Sequence, residues 1–130
     1  MTTEPSDTGE NEGQAILVTL GEPFRLAVGE SAAIGELAIM FIEVSEDSRC
    51  PQGARCVWAG QAKARVRVEK GGALLGEYEL TIGVMREGDV GEVEIDGLLL
   101  GLLGVEPYPK LDEQIEAGEY VVEMVVEPGG

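Results

Sequence analysis

Apolar and polar residues alternate with a period of two along most of this chain, and no segment sustains the three-to-four-residue spacing of an amphipathic helix. The clearest case is Ala62, Ala64, Val66 and Val68, interleaved with Lys63, Arg65, Arg67 and Glu69, which predicts a strand with one buried face. Gly71-Gly72 then predicts a turn, and Ala73 to Ile82 its hairpin partner, with Tyr78, Leu80 and Ile82 sharing a face. Upstream, a short β-prone run from Ala15 to Leu20 is halted by Gly21 and Pro23, and Phe24, Leu26 and Val28 alternate with Arg25 and Ala27. Leu37 to Val44 is almost continuously apolar, which predicts a strand covered on both faces, with Glu43 emerging at its edge.

Val90 to Asp96 alternates again, after an expected exposed turn from Met85 to Asp89. The tract from Leu98 to Leu103 has the length of a helical turn, but Gly97, Gly101 and Gly104 each disfavour a helix by about 1 kcal/mol. A bent, buried strand is the expectation there; the tract extended to Val105 has an exposed interaction patch as its alternative. Glu106 to Lys110 holds two prolines and predicts a stiff loop, and Asp112 to Gly118 a polar connection. In the last strand Tyr120, Val122, Met124 and Val126 face one way, and Glu119, Val121, Glu123, Val125 and Glu127 the other. Short strands at steady spacing with glycine-rich turns predict an all-β fold. The expected architecture is a single-domain β-sandwich, immunoglobulin-like or related, of about seven to nine strands. It would span residues 15–128, behind a flexible acidic leader at 1–14.

Composition narrows the function classes. The 130 residues, 44% hydrophobic, suit one domain with a true core. Nine Lys and Arg against 25 Asp and Glu leave a net charge of −16, which repels phosphate backbones and anionic membrane surfaces. No nucleic-acid partner is expected; a protein or small ligand is. Histidine is absent, so Ser-His-Asp and Cys-His catalysis are excluded, together with the usual zinc ligand and the proton switch of neutral pH. Nothing in the sequence calls for a cofactor. No apolar run approaches the ~18 residues that span a bilayer. The start of the chain lacks a signal-peptide pattern, so an exported form is expected to carry its signal in a precursor.

The densest chemistry lies between Glu46 and Gly60, which hold both cysteines and the only tryptophan. Cys50 and Cys56 are too few for a structural zinc site and lack the Cys-x-x-Cys spacing of redox enzymes. A local disulfide is the simplest reading, two buried free thiols its alternative. In the chain-entropy model so small a ring contributes only roughly 2 kcal/mol, but it points to an oxidising, extracytoplasmic compartment, periplasm or cell surface. Pro51 and Gly53 permit the tight path between the sulfurs, and Arg49 is placed to pair with Asp47 or to cap loop carbonyls. Trp58 lies two residues past Cys56, so on a strand its indole would share that face and pack on the disulfide. Gly60 marks a bulge or a close backbone approach.

The motif Asp47-Ser48-Arg49-Cys50-Pro51 followed by Cys56-Val57-Trp58-Ala59-Gly60 resembles the signature of a family of uncharacterised bacterial extracytoplasmic domains, many of them lipoproteins. Pro107-Tyr108-Pro109 and Gly118-Glu119-Tyr120 are similar to that family's C-terminal half, so the resemblance covers roughly residues 20–127. It implies an exported, β-rich domain and no particular activity.

The expectation for function is therefore a non-enzymatic module that binds a partner or supports an envelope assembly. Asp47, Ser48, Arg49 and Trp58 are the candidate binding surface, at one end of the sandwich. A carboxylate-dependent hydrolase is the alternative class; it needs two carboxyls ~5–9.5 Å apart, a separation that no sequence reveals. A third class is a cation-binding structural domain, for which Glu43, Glu46 and Asp47 are weak candidate ligands. Lys63, Arg65 and Arg67 share one strand face, and pairing with Glu119, Glu123 and Glu127 on a neighbouring strand would neutralise them. Left unpaired, they would form a basic stripe for an acidic partner.

Overall fold

The alternating runs fold into two stacked sheets in a computed structural model that describes residues 15–129; the leader expected at 1–14 lies outside the described residues. The strands are β1 (Ile16–Leu17), β2 (Phe24–Ala27), β3 (Ser31–Ile34), β4 (Leu37–Asp47), β5 (Gln61–Lys70), β6 (Ala73–Gly83), β7 (Glu92–Ile95), β8 (Leu98–Glu106) and β9 (Val121–Pro128). One sheet has the order β1-β3-β4-β5-β6, the other β2-β9-β8-β7. Only β1 runs parallel to its neighbour. The connectivity is that of two meanders, β3-β4-β5-β6 and β7-β8-β9, with β2 in the second sheet beside β9. The protein is an all-β sandwich, as the alternation predicts.

The core lies between the sheets. Leu26, Ile39, Phe41, Ala64, Val66, Val68, Leu80, Val122 and Met124 are buried there at 0–1% exposure. Full burial of each large aliphatic contributes roughly 1.5–3 kcal/mol, so these alternate positions fix which face of each strand points inward.

Bulges then adjust that parity. In β4 the register against β5 shifts after Phe41 and again after Val44, so Phe41, Val44 and Asp47 face inward at a spacing of three. A similar shift after Leu102 in β8 leaves Leu103 exposed while Leu102 and Val105 both enter the core. The tract from Leu98 is thus a bent strand and mostly core, with Leu103 its exposed exception.

Several expectations are corrected. β4 is not covered on both faces: its inner residues are buried as far as Phe41, its outer ones are half-buried or, at Glu43 and Ser45, exposed, and it runs on to Asp47, so Glu43 lies within it. The first run forms only the two-residue β1, and the strand expected over Val90–Asp96 only Glu92–Ile95. The strand after the stapled loop starts at Gln61, so Trp58 lies on no strand. Lys63, Arg65 and Arg67 do not meet Glu119, Glu123 and Glu127, because β9 belongs to the other sheet. Their partners flank them within their own sheet: Arg65 reaches Glu43 at 3.2 Å and Glu77 at 3.8 Å, and Arg67 reaches Glu77 at 3.4 Å. The stripe is neutralised across strands.

Because these pairs are part-exposed, each is worth less than about 1 kcal/mol. Replacing both Arg65 and Arg67 by Glu places like charges opposite one another and is expected to lower stability by about 1–2 kcal/mol, read as a Tm fall of several degrees. An unchanged Tm would show that the ladder is ornamental to the sheet.

Candidate functional site

The second bulge of β4 delivers Asp47 to the inner face at the end of the sandwich, opposite Ala62. There it receives a two-pronged contact from Arg49, Nε to Oδ1 and Nη2 to Oδ2, both at 2.8 Å. The Tyr120 hydroxyl, at the entry to β9, donates to Oδ2 at 2.8 Å. Arg49 also donates through Nη1 to the Val105 carbonyl at 2.7 Å and through Nη2 to the Pro107 carbonyl at 3.0 Å. The two side chains are only 8% and 13% exposed, Arg49 and Asp47 respectively. One ion pair therefore joins the end of β4 to the end of β8 and the start of β9, across both sheets. Both roles expected of Arg49, pairing and carbonyl capping, occur together. Burial alone would raise the Asp47 carboxyl, but the hydrogen bonds from Arg49 and Tyr120 and the guanidinium charge outweigh it and hold the group below its ordinary range. Burial, reinforced by that hydrogen bond, pushes Tyr120 up to about 12.

The stapled loop hangs from this clamp. Cys50 and Cys56 form the disulfide, Cα atoms 5.9 Å apart. Around it the backbone is pinned by Ser48 N to Gln61 O at 2.8 Å, Cys50 N to Ala59 O at 3.0 Å and Gln52 N to Pro109 O at 2.9 Å. The Ser48 hydroxyl bonds Gln61 O and N, so it is spent on holding the loop to β5. Gly60 is the close approach: with φ +81°, a Cβ there would sit 1.9 Å from the Ser48 carbonyl oxygen.

A second polar knot lies beside it and was missed in the sequence, where Met85 to Asp89 reads as an exposed turn. The Asp89 carboxylate is 7% exposed. It accepts from Lys63 Nζ at 2.9 Å, Gln61 Nε2 at 2.8 Å and the Arg86 amide at 2.7 Å. Those bonds, Lys63's first, hold its carboxyl far below the usual range, and reciprocally raise Lys63. Arg86 bonds Glu46 at 2.8 Å, also bonds Gln61 Oε1, and lies over the Trp58 ring, 5.6 Å from its centroid. Gln61 lies on the same face of β5 as Lys63, yet it is fully buried, and a buried polar group demands partners; that burial leaves no signal in the sequence.

The structure brings Asp47 and Arg49 into one network, spends the Ser48 hydroxyl on Gln61, and sets Trp58 apart, 40% exposed over Arg86. Val57 is fully exposed, and Tyr108, Leu111 and Met85 are also open apolar groups in the loops at this end. Glu43, Glu46 and Asp47 do not converge: each is held by a different arginine, Arg65, Arg86 and Arg49. Among the described residues no group of three or more acidic or cysteine side chains is arranged to hold a metal ion. No described helix is long and apolar enough to cross a membrane. Comparison of the chain with protein-family models, with curated proteins and with solved structures gives no match.

Two outcomes follow from this geometry. Gly60→Ala is expected to destabilise by more than about 3 kcal/mol, because backbone rather than a movable side chain blocks the new methyl; Gly71→Ala, in open space, should cost about 1 kcal/mol. Denaturant titration of the two variants compares them. The second outcome concerns pH. Asp47 and Asp89 bind protons less tightly folded than unfolded, so their stabilisation is present above the ordinary carboxylate pKa of about 4 and is lost as pH falls from there through their lowered folded values. Tyr120 acts in the opposite sense, its contribution full below about pH 10 and lost as pH rises towards its raised value. Asp89→Asn should lower Tm at pH 7 and flatten the acid limb of the Tm–pH curve; an acid limb parallel to wild type would remove Asp89 from this role.

Proposed function

We propose that the protein is a non-enzymatic, extracytoplasmic module that binds a partner through the stapled-loop end of its sandwich. The observation that carries this reading is an exposed apolar edge, Val57 and Trp58, mounted on the buried Asp47–Arg49 clamp. Exposed tryptophan beside arginine is the composition of interface hot spots, and a rigid mount lowers the entropy lost on docking. The disulfide supports an oxidising compartment. The resemblance of the Asp47–Pro51 and Cys56–Gly60 motifs to bacterial envelope domains supports a place at the cell envelope, as a lipoprotein or a soluble periplasmic protein. A binding role is further favoured by the state of the perturbed carboxyls: Asp47 and Asp89 are fixed as anions, whereas a glycosidase-type acid needs a raised pKa.

Immobilised wild type and Trp58→Ala, incubated with bacterial envelope extract, test the reading. Wild type should retain a specific protein that the variant loses by tenfold or more, while the variant's Tm falls by only a few degrees. Equal capture by both would exclude the Trp58 edge as the contact.

A further inference from the structure

The two sheets carry charge differently on their outer faces. On the five-stranded sheet Lys63, Arg65 and Arg67 meet glutamates of the flanking strands. The four-stranded sheet has no such ladder. Across β7, β8 and β9 its register sets Glu94, Leu99 and Glu127 in one row, and Glu92, Gly101 and Val125 in the next. Further along, Glu123 lies between Gly104 and Arg25, and Glu106 lies beside Val121. These positions alternate with the buried Leu100, Val122, Met124 and Val126, so they face outward. Arg25 is the one cation among them, and its guanidinium bonds Glu106. Among the described residues Glu92, Glu94, Glu123 and Glu127 form no salt bridge.

The centre of this face is apolar and low. Leu99, Val121 and Val125 are half-buried, and Leu103 is 47% exposed at the bulge. The fold does not demand Gly101 or Gly104: neither has a positive φ, and a Cβ would meet nothing nearer than 3.8 Å at the first and 3.9 Å at the second. Glycine inside a strand costs stability and admits a close approach from outside. The face ends in a pocket of about 410 Å³ lined by Glu106, Pro107, Glu119 and Val121. At about 30 Å³ per non-hydrogen atom it holds roughly a dozen atoms, enough for an arginine side chain with its backbone. Oε1 of Glu106 takes Arg25, and Oε1 of Glu119 accepts from the Glu116 amide. Each carboxylate keeps its other oxygen for a further donor.

Charge decides the occupant. A second copy would bring glutamates against glutamates in a chain at −16, and nucleic acid or an anionic membrane is repelled likewise. Among the described residues no group of three acidic side chains is arranged to hold a metal ion. A cationic side chain fits both features of the face, because its stem covers apolar surface while its head reaches a carboxylate. The rows repeat every two residues, about 7 Å, which is also the spacing of alternate side chains on an extended chain. We propose that the outer face of the four-stranded sheet docks an extended segment of a protein partner that bears arginine or lysine at alternate positions. Its cations lie with their stems over Leu99 and Val125, and one head enters the pocket beside Glu106 and Glu119. This surface is separate from the Trp58 edge and does not rest on it.

The test is titration of the ¹⁵N-labelled protein with an acetylated, amidated octapeptide of alternating arginine and serine, at about 20 mM salt, where screening is weak. Saturating shifts are expected at the Gly101, Gly104, Val121 and Val125 amides, with a Kd on the order of 100 μM. The same peptide with citrulline for arginine, uncharged but alike in shape, should bind about tenfold more weakly. Spermine, of equal charge but without the extended backbone, should bind about fivefold more weakly. Glu92→Lys with Glu123→Lys should weaken the peptide about tenfold, whereas Glu36→Lys with Glu87→Lys, the same change in net charge on exposed turns, should cost less than about threefold. Amide spectra check each fold; if the first pair unfolds the sheet, Glu92→Gln with Glu123→Gln reads the same effect at about threefold. Trp58→Ala should bind the peptide as wild type does. The proposal is overturned by no saturation or by shifts confined to other surfaces. It is equally overturned by spermine or the citrulline peptide matching the arginine peptide, by equal losses in the two charge-reversed proteins, or by loss of binding in Trp58→Ala.

Discussion

A single buried ion pair fixes the geometry of this sandwich at its loop-bearing end. Asp47 and Arg49 lie two residues apart, yet between them they engage β4, β8 and the start of β9 through Val105, Pro107 and Tyr120. Removing two charges from water costs several kcal/mol per ion, and their attraction offsets this only when the remaining hydrogen-bonding groups are satisfied. Here both carboxylate oxygens and four guanidinium N–H groups are used. Apolar residues of equal volume would hold the sheets together about as firmly, so the pair's particular contribution is position. It specifies where the Val105–Tyr108 segment lies relative to the stapled loop.

Charge is managed differently on the rest of the surface. The outer face of the five-stranded sheet alternates Lys63, Arg65 and Arg67 with Glu43, Glu77 and Glu79, so that its central strand is compensated from both sides. Glu77 and Glu79 also guard β6, an eleven-residue edge strand that would otherwise invite pairing with another chain. Two antiparallel copies of this edge would bring Glu77 and Glu79 against their own counterparts, in a molecule already at −16. The acidity thus acts first against self-association, while exposed apolar groups occur at the loop end, Val57 and Trp58, and also in β1, Ile16 and Leu17, and at the start of β6, Leu74 and Leu75.

Period-two alternation made most of the strands legible before any coordinates, because burial on one face is a strong and local constraint. The disulfide, the β5–β6 hairpin and the close approach at Gly60 were equally readable, each tied to a few adjacent residues. What escaped were features that depend on pairing partners distant in sequence. A bulge leaves no mark on composition, so the inward turn of Asp47 and the outward turn of Leu103 were invisible. The assignment of β9 to the other sheet decided which glutamates meet Arg65 and Arg67. Asp89 looked like a turn residue because its partners, Gln61 and Lys63, belong to a strand more than twenty positions earlier. Trp58 was placed on a strand by its spacing from Cys56; the Gly60 contact with Ser48 instead delays the strand to Gln61.

The disulfide and the ion pair act on different scales. Closing a ring between Cys50 and Cys56 removes little entropy from the unfolded chain, about 2 kcal/mol at most in the chain-entropy model. The base of the same loop is held without it, by Ser48 N to Gln61 O and Cys50 N to Ala59 O, and its flank by Gln52 N to Pro109 O. What the sulfur bridge adds is local: it ties Cys56, one residue before the fully exposed Val57 and two before Trp58, to a position already anchored by Arg49. The clamp therefore sets where the loop is, and the disulfide sets how far its apolar tip can stray. A surface that presents valine and tryptophan to solvent gains from both constraints, because the entropy lost on docking is smallest when the contact residues are already in place.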